Sequence, residues 1–192
     1  MATLASPDLA RYSRVAIWLH WILAALIVVN LLLGFFHEEF ARPVRSAMMG
    51  WHKSLGLAVI ALTLVRILWR LTHRPPPFDP AMKAWEVAVA RLVHGLFYLL
   101  LLAIPLSGWL IVSSGEKVNP TNFFWLVKIG PLPVTPGEGL HDFAEEAHEL
   151  LGWAMVVLLL LHVGGAIKHH LDGHRDAIGR MIPWVSRGDG RP

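Results

Sequence analysis

The sequence predicts an all-α fold, an integral membrane four-helix bundle, and three observations carry that prediction. Mean hydropathy is +0.50 over 192 residues. Hydrophobic residues make up 55% of the chain and charged residues 16%, where soluble domains carry about 25% charge. The apolar residues are also gathered into long runs between charges, and about 20 such residues at ~1.5 Å each cross a ~30 Å hydrocarbon core. The expected organisation is one domain over residues 1–185 followed by a disordered tail over 186–192.

The first span, Val15 to Phe36, has 22 residues without a charged side chain. That is longer than the apolar region of a cleavable signal, and no A-x-A-like site follows, so it is expected to stay in the membrane. The second is harder to read, because Lys53 and Arg66 leave only Ser54 to Val65 uncharged. Taken as Met48 to Leu71 it is long enough, provided Lys53 snorkels to an interface and Arg66 finds a partner inside the protein. The third runs from Leu92 to Gly115, with Pro105 expected to kink it. The fourth has its apolar centre at Leu150 to Ile167 and spans about residues 148–170. Of the connections, 72–91 contains Pro75-Pro76-Pro77 and reads as stiff, while 116–147 is long and rich in Pro and Gly. Within it, Asn122 to Ile129 reads as a short apolar turn on the membrane surface.

Charge distribution decides between three spans and four. With four, the amino terminus, the 72–91 connection and the carboxyl tail share one side, which holds 12 of the 17 basic residues. The other side holds Arg42, Arg45, Lys53, Lys117 and Lys128. Cytoplasmic flanks collect Lys and Arg, so the expectation is four helices with both termini cytoplasmic. Trp18, Trp21, Trp51, Trp69 and Trp109 lie near the proposed span ends, where both an interfacial belt and ordinary packing would put them.

The absence of cysteine excludes disulfides, thiolate zinc sites, cysteine-ligated iron-sulfur clusters and covalently attached c-type haem. Against it stand 11 histidines, and histidine is both a common metal ligand and costly to place in a bilayer. His148 and His162 are 14 residues apart on the fourth span, so they share a face within about 40° and lie ~21 Å apart along the axis. His20 lies six residues past Arg14, and His162 six before Lys168, so these two match in depth on the cytoplasmic side. His52 and His148 each open a span at the outer edge and match as well.

Two facing histidines at one depth, repeated at a second depth, meet the requirement of two non-covalent b-type haems, each iron taking two axial nitrogens. Ligands ~21 Å apart exclude a single zinc or di-metal centre. In His52-x-x-x-Gly56 and His148-x-x-x-Gly152 the residue one turn inward is glycine, which lets a flat porphyrin approach the backbone. Arg66 lies 14 residues after His52 and Arg70 lies 18 after it, on the same face near the inner pair; both are candidates for haem propionates. His94 lies three residues past Arg91, and spacing alone does not separate it from His20 and His162. His169, seven residues after His162, reads equally as a substrate or propionate contact and as an interfacial residue. His37, His73, His141 and His174 read as solvated polar residues in loops or at span ends.

Several stretches together resemble the bacterial cytochrome b561 family. They are Tyr12-Ser13-Arg14 leading to Leu19-His20-Trp21, and His52-Lys53-Ser54-Leu55-Gly56 leading to Val65-Arg66-Ile67-Leu68-Trp69-Arg70. After them come His94 with Ala103-Ile104-Pro105, then His148-Glu149, Leu161-His162 and Lys168-His169-His170, so the resemblance covers roughly Arg11 to Pro183. It implies that His20 and His162 ligate a cytoplasmic-side haem iron and His52 and His148 a periplasmic-side one, with His94 a non-ligand. It also implies an oxidoreductase of the superoxide:ubiquinone type, with ubiquinone chemistry near His169 and no catalytic side chain beyond those that hold the haems.

On this reading the protein passes single electrons from a periplasmic donor, superoxide first among the choices, to ubiquinone, and its partners are lipid and small molecules rather than nucleic acid. One feature opposes superoxide: the outer side has five basic residues against eight acidic ones, a net charge of about minus three. A local patch of Arg42, Arg45 and Lys53 remains able to steer an anion. Two other readings stand beside it, a haem-b anchor subunit of a quinone-linked dehydrogenase or hydrogenase, docked through the acidic stretch His141 to Glu149, and a non-haem membrane interaction protein.

Overall fold

In a computed structural model of the chain, residues 12–78, 82–118, 120–171, 179, 181 and 182 are described. His174 and the tail over 186–192 lie outside them. The elements are α1 (Arg14–Phe36), a short 3-10 turn (His37–Glu39), α2 (Arg42–Thr72), α3 (Ala84–Ser114), β1 (Thr121–Phe123), β2 (Val127–Ile129) and α4 (Glu138–Leu171). All four α-helices are long and apolar enough to cross a membrane, including α2, whose span the charges had left open. Three of them outrun the apolar stretches: α2 begins six residues before Met48, α3 eight before Leu92 and α4 twelve before Leu150. Polar sequence continues these helices outside the bilayer, where hydropathy carries no signal.

Local chemistry sets the ends. Ser13 caps α1 by accepting from the Ala16 N–H at 3.2 Å. Pro43 stands in the first turn of α2, where its missing N–H costs nothing, and the helix stops before Pro75-Pro76-Pro77. At the start of α3 the Glu86 carboxylate accepts from the Lys83 N–H at 3.0 Å.

The helices pack in sequence order, α1 on α2, α2 on α3 and α3 on α4. The core is an apolar layer of Leu23, Val59, Leu100, Leu101, Met155 and Leu158, with members from all four helices. In every helix this layer falls between the two histidine levels, so it separates them with apolar side chains. Outside it, Leu32, Leu64, Leu96, Leu99 and Leu160 face outward, as a lipid-facing surface requires.

The segment Asn122 to Ile129, expected as a short apolar turn, is an antiparallel hairpin with Phe123 opposite Val127. Its turn puts Phe124 at φ 47° and Trp125 at φ 59°, and the Leu126 N–H donates to the Phe123 carbonyl at 3.0 Å. Two successive residues at positive φ, in a loop of three between Phe123 and Val127, are normally Asn or Gly, and two aromatic residues give no turn signal. Packing offsets the strain. Trp125 lies against Gly50, where a Cβ would come within 2.8 Å of the ring, and Trp51 meets it edge-on at 5.3 Å. Ser54, fully buried on α2, accepts from the Phe124 N–H at 2.9 Å and shares its one hydroxyl proton between the Gly50 carbonyl at 2.9 Å and the Asn122 carbonyl at 3.2 Å.

Candidate functional site

The outer histidines meet. His52 on α2 and His148 on α4 have ring centres 5.9 Å apart with planes at 85°. Each imidazole is held by the backbone of a neighbouring helix: His52 Nδ1–H donates to the Asn30 carbonyl of α1 at 3.0 Å, and His148 Nδ1–H to the Ile104 carbonyl of α3 at 2.9 Å. A carbonyl only accepts, so the proton is on Nδ1 and the lone pair on Nε2. That is the tautomer of a metal-ligating histidine, whose other ring nitrogen is fixed by a hydrogen bond to a carbonyl.

Both rings rest on a glycine four residues beyond the accepting carbonyl. A Cβ on Gly34 would come 2.9 Å from His52 Cε1, and one on Gly108 would come 2.9 Å from His148 Cε1. The glycines singled out by the sequence, Gly56 and Gly152, have another function: they line a cavity of about 490 Å³ together with both histidines. Their nearest neighbours from a built Cβ are 3.6 Å and 3.9 Å away, so they leave room without seating a ring. The spacings Asn30-x-x-x-Gly34 and Ile104-x-x-x-Gly108 were in the sequence, but only helix pairing shows which histidine each receives. Pro105 meets the Gly56 position at 3.6 Å, so the third span's proline forms part of the same wall.

The inner histidines also meet, by different means. His20 on α1 and His162 on α4 have ring centres 6.2 Å apart, and His94 on α3 stands 5.9 Å from His162. Arg66 of α2 places Nη2 3.5 Å from His20 Nδ1 and donates through Nε–H to the Tyr98 hydroxyl at 3.3 Å. Distance alone therefore leaves His94 level with His20. Arg70 shares the Tyr98 ring with Arg66, at 5.7 Å and 6.0 Å from its centre, and lines a second cavity with Arg91 and His94, while His169 lies on the last turn of α4 beside Lys168, which pairs with Glu86 at 3.3 Å.

Of the histidines read as solvated, His37 lines the outer cavity and donates to the Gly34 carbonyl at 2.8 Å, and His73 stacks on Trp69 at 3.7 Å. His141 departs furthest from that reading. Its Nδ1–H donates to the Ile111 carbonyl at 3.1 Å, its ring lies 3.4 Å from a Cβ built on Gly115, and Nε2 meets Glu145 at 3.2 Å. The His148 seat is thus repeated seven residues away on both helices, and the heptads Gly108/Gly115 and His141/His148 were its sequence signal. Several tryptophans serve as polar ties: Trp21 donates to the Met181 carbonyl, Trp69 to Ser13 and Trp109 to the Gly130 carbonyl.

An iron shared by two opposed imidazoles at a metal–nitrogen distance of about 2.0 Å sets their ring centres roughly 6 Å apart. Both pairs meet that spacing, and the outer pair adds the tautomer and an adjoining apolar cavity, so the residues fit b-type haem. The profile of the family described as Prokaryotic cytochrome b561 matches residues 11–184. The chain belongs to the prokaryotic cytochrome b561 family. This cytochrome b561 is 32% identical over 179 residues to cytochrome b561 homolog 2 of Escherichia coli K12, covering 90% of the chain and 91% of that relative. It is 27% identical over 180 residues to cytochrome b561 homolog 1 of the same organism, covering 90% and 97%. It is also 27% identical over 173 residues to a probable superoxide oxidase, CybB, of Yersinia pestis, covering 90% and 96%. The family is one of membrane b-type cytochromes, and this member is a multi-pass bacterial membrane protein.

Proposed function

We propose that this cytochrome b561 carries two non-covalent b haems, ligated by His52 with His148 and by His20 with His162, and transfers electrons from an outer-side donor, superoxide first, to ubiquinone. The observation that carries the reading is the outer pair, whose two imidazoles are oriented alike by carbonyls of two different helices. Bound haem supplies a one-electron couple at each level. The carbonyl bonds keep each Nε2 unprotonated and raise its basicity toward a metal. The apolar layer around Leu23, Val59 and Met155 keeps water from between the levels. Arg66, already beside His20, offers its guanidinium to a haem carboxylate.

At the outer mouth Lys53 and His37 stand with Glu38 and Glu149, and Arg45 donates to the Glu38 carbonyl at 2.7 Å. Lys53 and Arg45 are the cations an anionic donor would meet there, beside two carboxylates and on a face that is acidic as a whole. His169, on the last turn of α4, is the residue we place nearest the quinone. Both termini are taken as cytoplasmic, from the charge asymmetry.

The test is a reduced-minus-oxidised spectrum of purified protein with haem quantified per chain, followed by a superoxide source and then ubiquinone. Two haems per chain, reduced by superoxide and reoxidised by ubiquinone, are expected. Two haems inert to superoxide would favour the anchor-subunit reading, and a colourless protein would overturn the ligand assignment.

A further inference from the structure

A second cavity, of about 430 Å³, opens where α2 ends and α3 begins. Among the described residues its wall carries Arg70 of α2, Pro75 to Phe78 of the connection, and Arg91, His94 and Tyr98 of α3, and no carboxylate. Among the described residues neither arginine makes an ion pair, whereas Lys168 has Glu86 at 3.3 Å. Rings position both guanidiniums: Arg70 Cζ lies 5.7 Å from the Tyr98 ring centre and Arg91 Cζ 5.7 Å from that of Phe78. A guanidinium over a ring face keeps its N–H edge for oxygen acceptors in the same plane.

Depth narrows the ligand. Arg70 stands one residue before Leu71, the end of the second apolar run, and Arg91 one before Leu92, the start of the third. Both cations therefore lie at the edge of the hydrocarbon, the level of lipid phosphates, where an unpaired charge is costly. Leu68, Leu71 and Leu92 on the same helices are 63%, 76% and 61% exposed and offer the surface that acyl chains cover. Three successive prolines stiffen the far wall, so the cavity does not close on itself.

We propose that this cavity binds the phosphate of an anionic phospholipid headgroup, clamped between Arg70 and Arg91, with Tyr98 and Phe78 bounding it. The inference rests on the proposed haem sites and gives the haem carboxylate to Arg66 rather than Arg70. Free inorganic phosphate presents the same chemistry, and a haem carboxylate is a further anion for Arg70, so the experiment separates the three.

Haem-loaded protein, delipidated in mild detergent, is titrated with phosphatidylglycerol, phosphatidylcholine or inorganic phosphate, with bound lipid read by native mass spectrometry and haem per chain read optically. The expected result is one phosphatidylglycerol held roughly tenfold more tightly than phosphatidylcholine, weakened roughly tenfold by Arg91→Gln with haem content unchanged, and weakened likewise by Arg70→Gln. Arg91→Lys, which keeps the charge but loses the fork, is expected to bind at an intermediate level and guards against a folding defect. Equal binding of the two lipids, wild-type binding by the variants, or full displacement of the lipid by inorganic phosphate would overturn the proposal. Haem loss in Arg70→Gln would overturn it too, by giving that arginine to a haem carboxylate.

Discussion

The two histidine levels of this protein are built on different principles. At the outer level each ring is fixed by a backbone carbonyl and seated on a glycine, once between α1 and α2 and once between α3 and α4. The two halves of the bundle thereby repeat one motif. At the inner level three histidines and an arginine converge from four helices, and the contact to His20 comes from a side chain that carries full charge. Backbone seats hold geometry and are indifferent to most substitutions except at the glycines. A charged side-chain contact sets electrostatics instead and yields to single substitutions. The outer level is thus made for fixed orientation and the inner for tuning.

The comparison breaks most sharply if one level is emptied. His148→Ala is expected to lower haem from two per chain to one, removing the outer signal from a redox titration and leaving the inner one. Loss of both haems would mean that the levels are not independent, and retention of both would refute the pairing. At the inner level the parallel pair of variants is His20→Ala and His94→Ala. His20→Ala is expected to remove the inner haem, while His94→Ala keeps it with an altered spectrum. The reverse result would exchange their roles, which ring distances of 6.2 Å and 5.9 Å from His162 do not decide.

Gly34→Ala and Gly108→Ala test the seats themselves. A Cβ would stand 2.9 Å from each imidazole, so the ring must leave its carbonyl, at a cost on the order of 1–3 kcal/mol for overpacking. Outer haem occupancy is expected to fall by more than half, with a shifted low-spin signal in electron paramagnetic resonance of what remains. Alanine at Gly95, where a Cβ meets nothing within 4 Å, is the matched control and should leave both signals unchanged. A smaller effect is expected from Arg66→Gln. Removing a cation beside His20 stabilises the oxidised, more positive iron, so the inner midpoint potential should drop by several tens of millivolts while the outer one stays.

What the sequence made legible follows from the same division. The spans and the paired depths of His20, His52, His148 and His162 were readable because hydropathy and the 3.6-residue period are one-dimensional signals. The carbonyl–glycine seats were not, since each joins residues of two helices, as Asn30 and Gly34 receive His52. His141 was misread as solvated because its partner, the Ile111 carbonyl, belongs to the backbone and leaves no mark in composition. The polar extensions of α2, α3 and α4 escaped a reading built on apolar length.

The hairpin is the sharpest example, and the smallest expected effect comes from it. Phe124 and Trp125 hold left-handed backbone that costs such residues about 1–2 kcal/mol each, so the turn persists only while its surroundings hold it. Ser54 is central to that support, because its buried hydroxyl meets the Asn122 carbonyl and the Phe124 N–H, and it stands two residues after His52. Ser54→Ala leaves the Phe124 N–H without that acceptor at a cost of about 1–3 kcal/mol. Faster hydrogen exchange across residues 121–129 is therefore expected, with the haem spectra unchanged, because the His52 ring is held from the opposite side by Asn30 of α1. A change in the outer haem signal on Ser54→Ala would show that the α2 segment needs the hairpin as well as the carbonyl seat, and the two halves of the outer level would then no longer be equivalent.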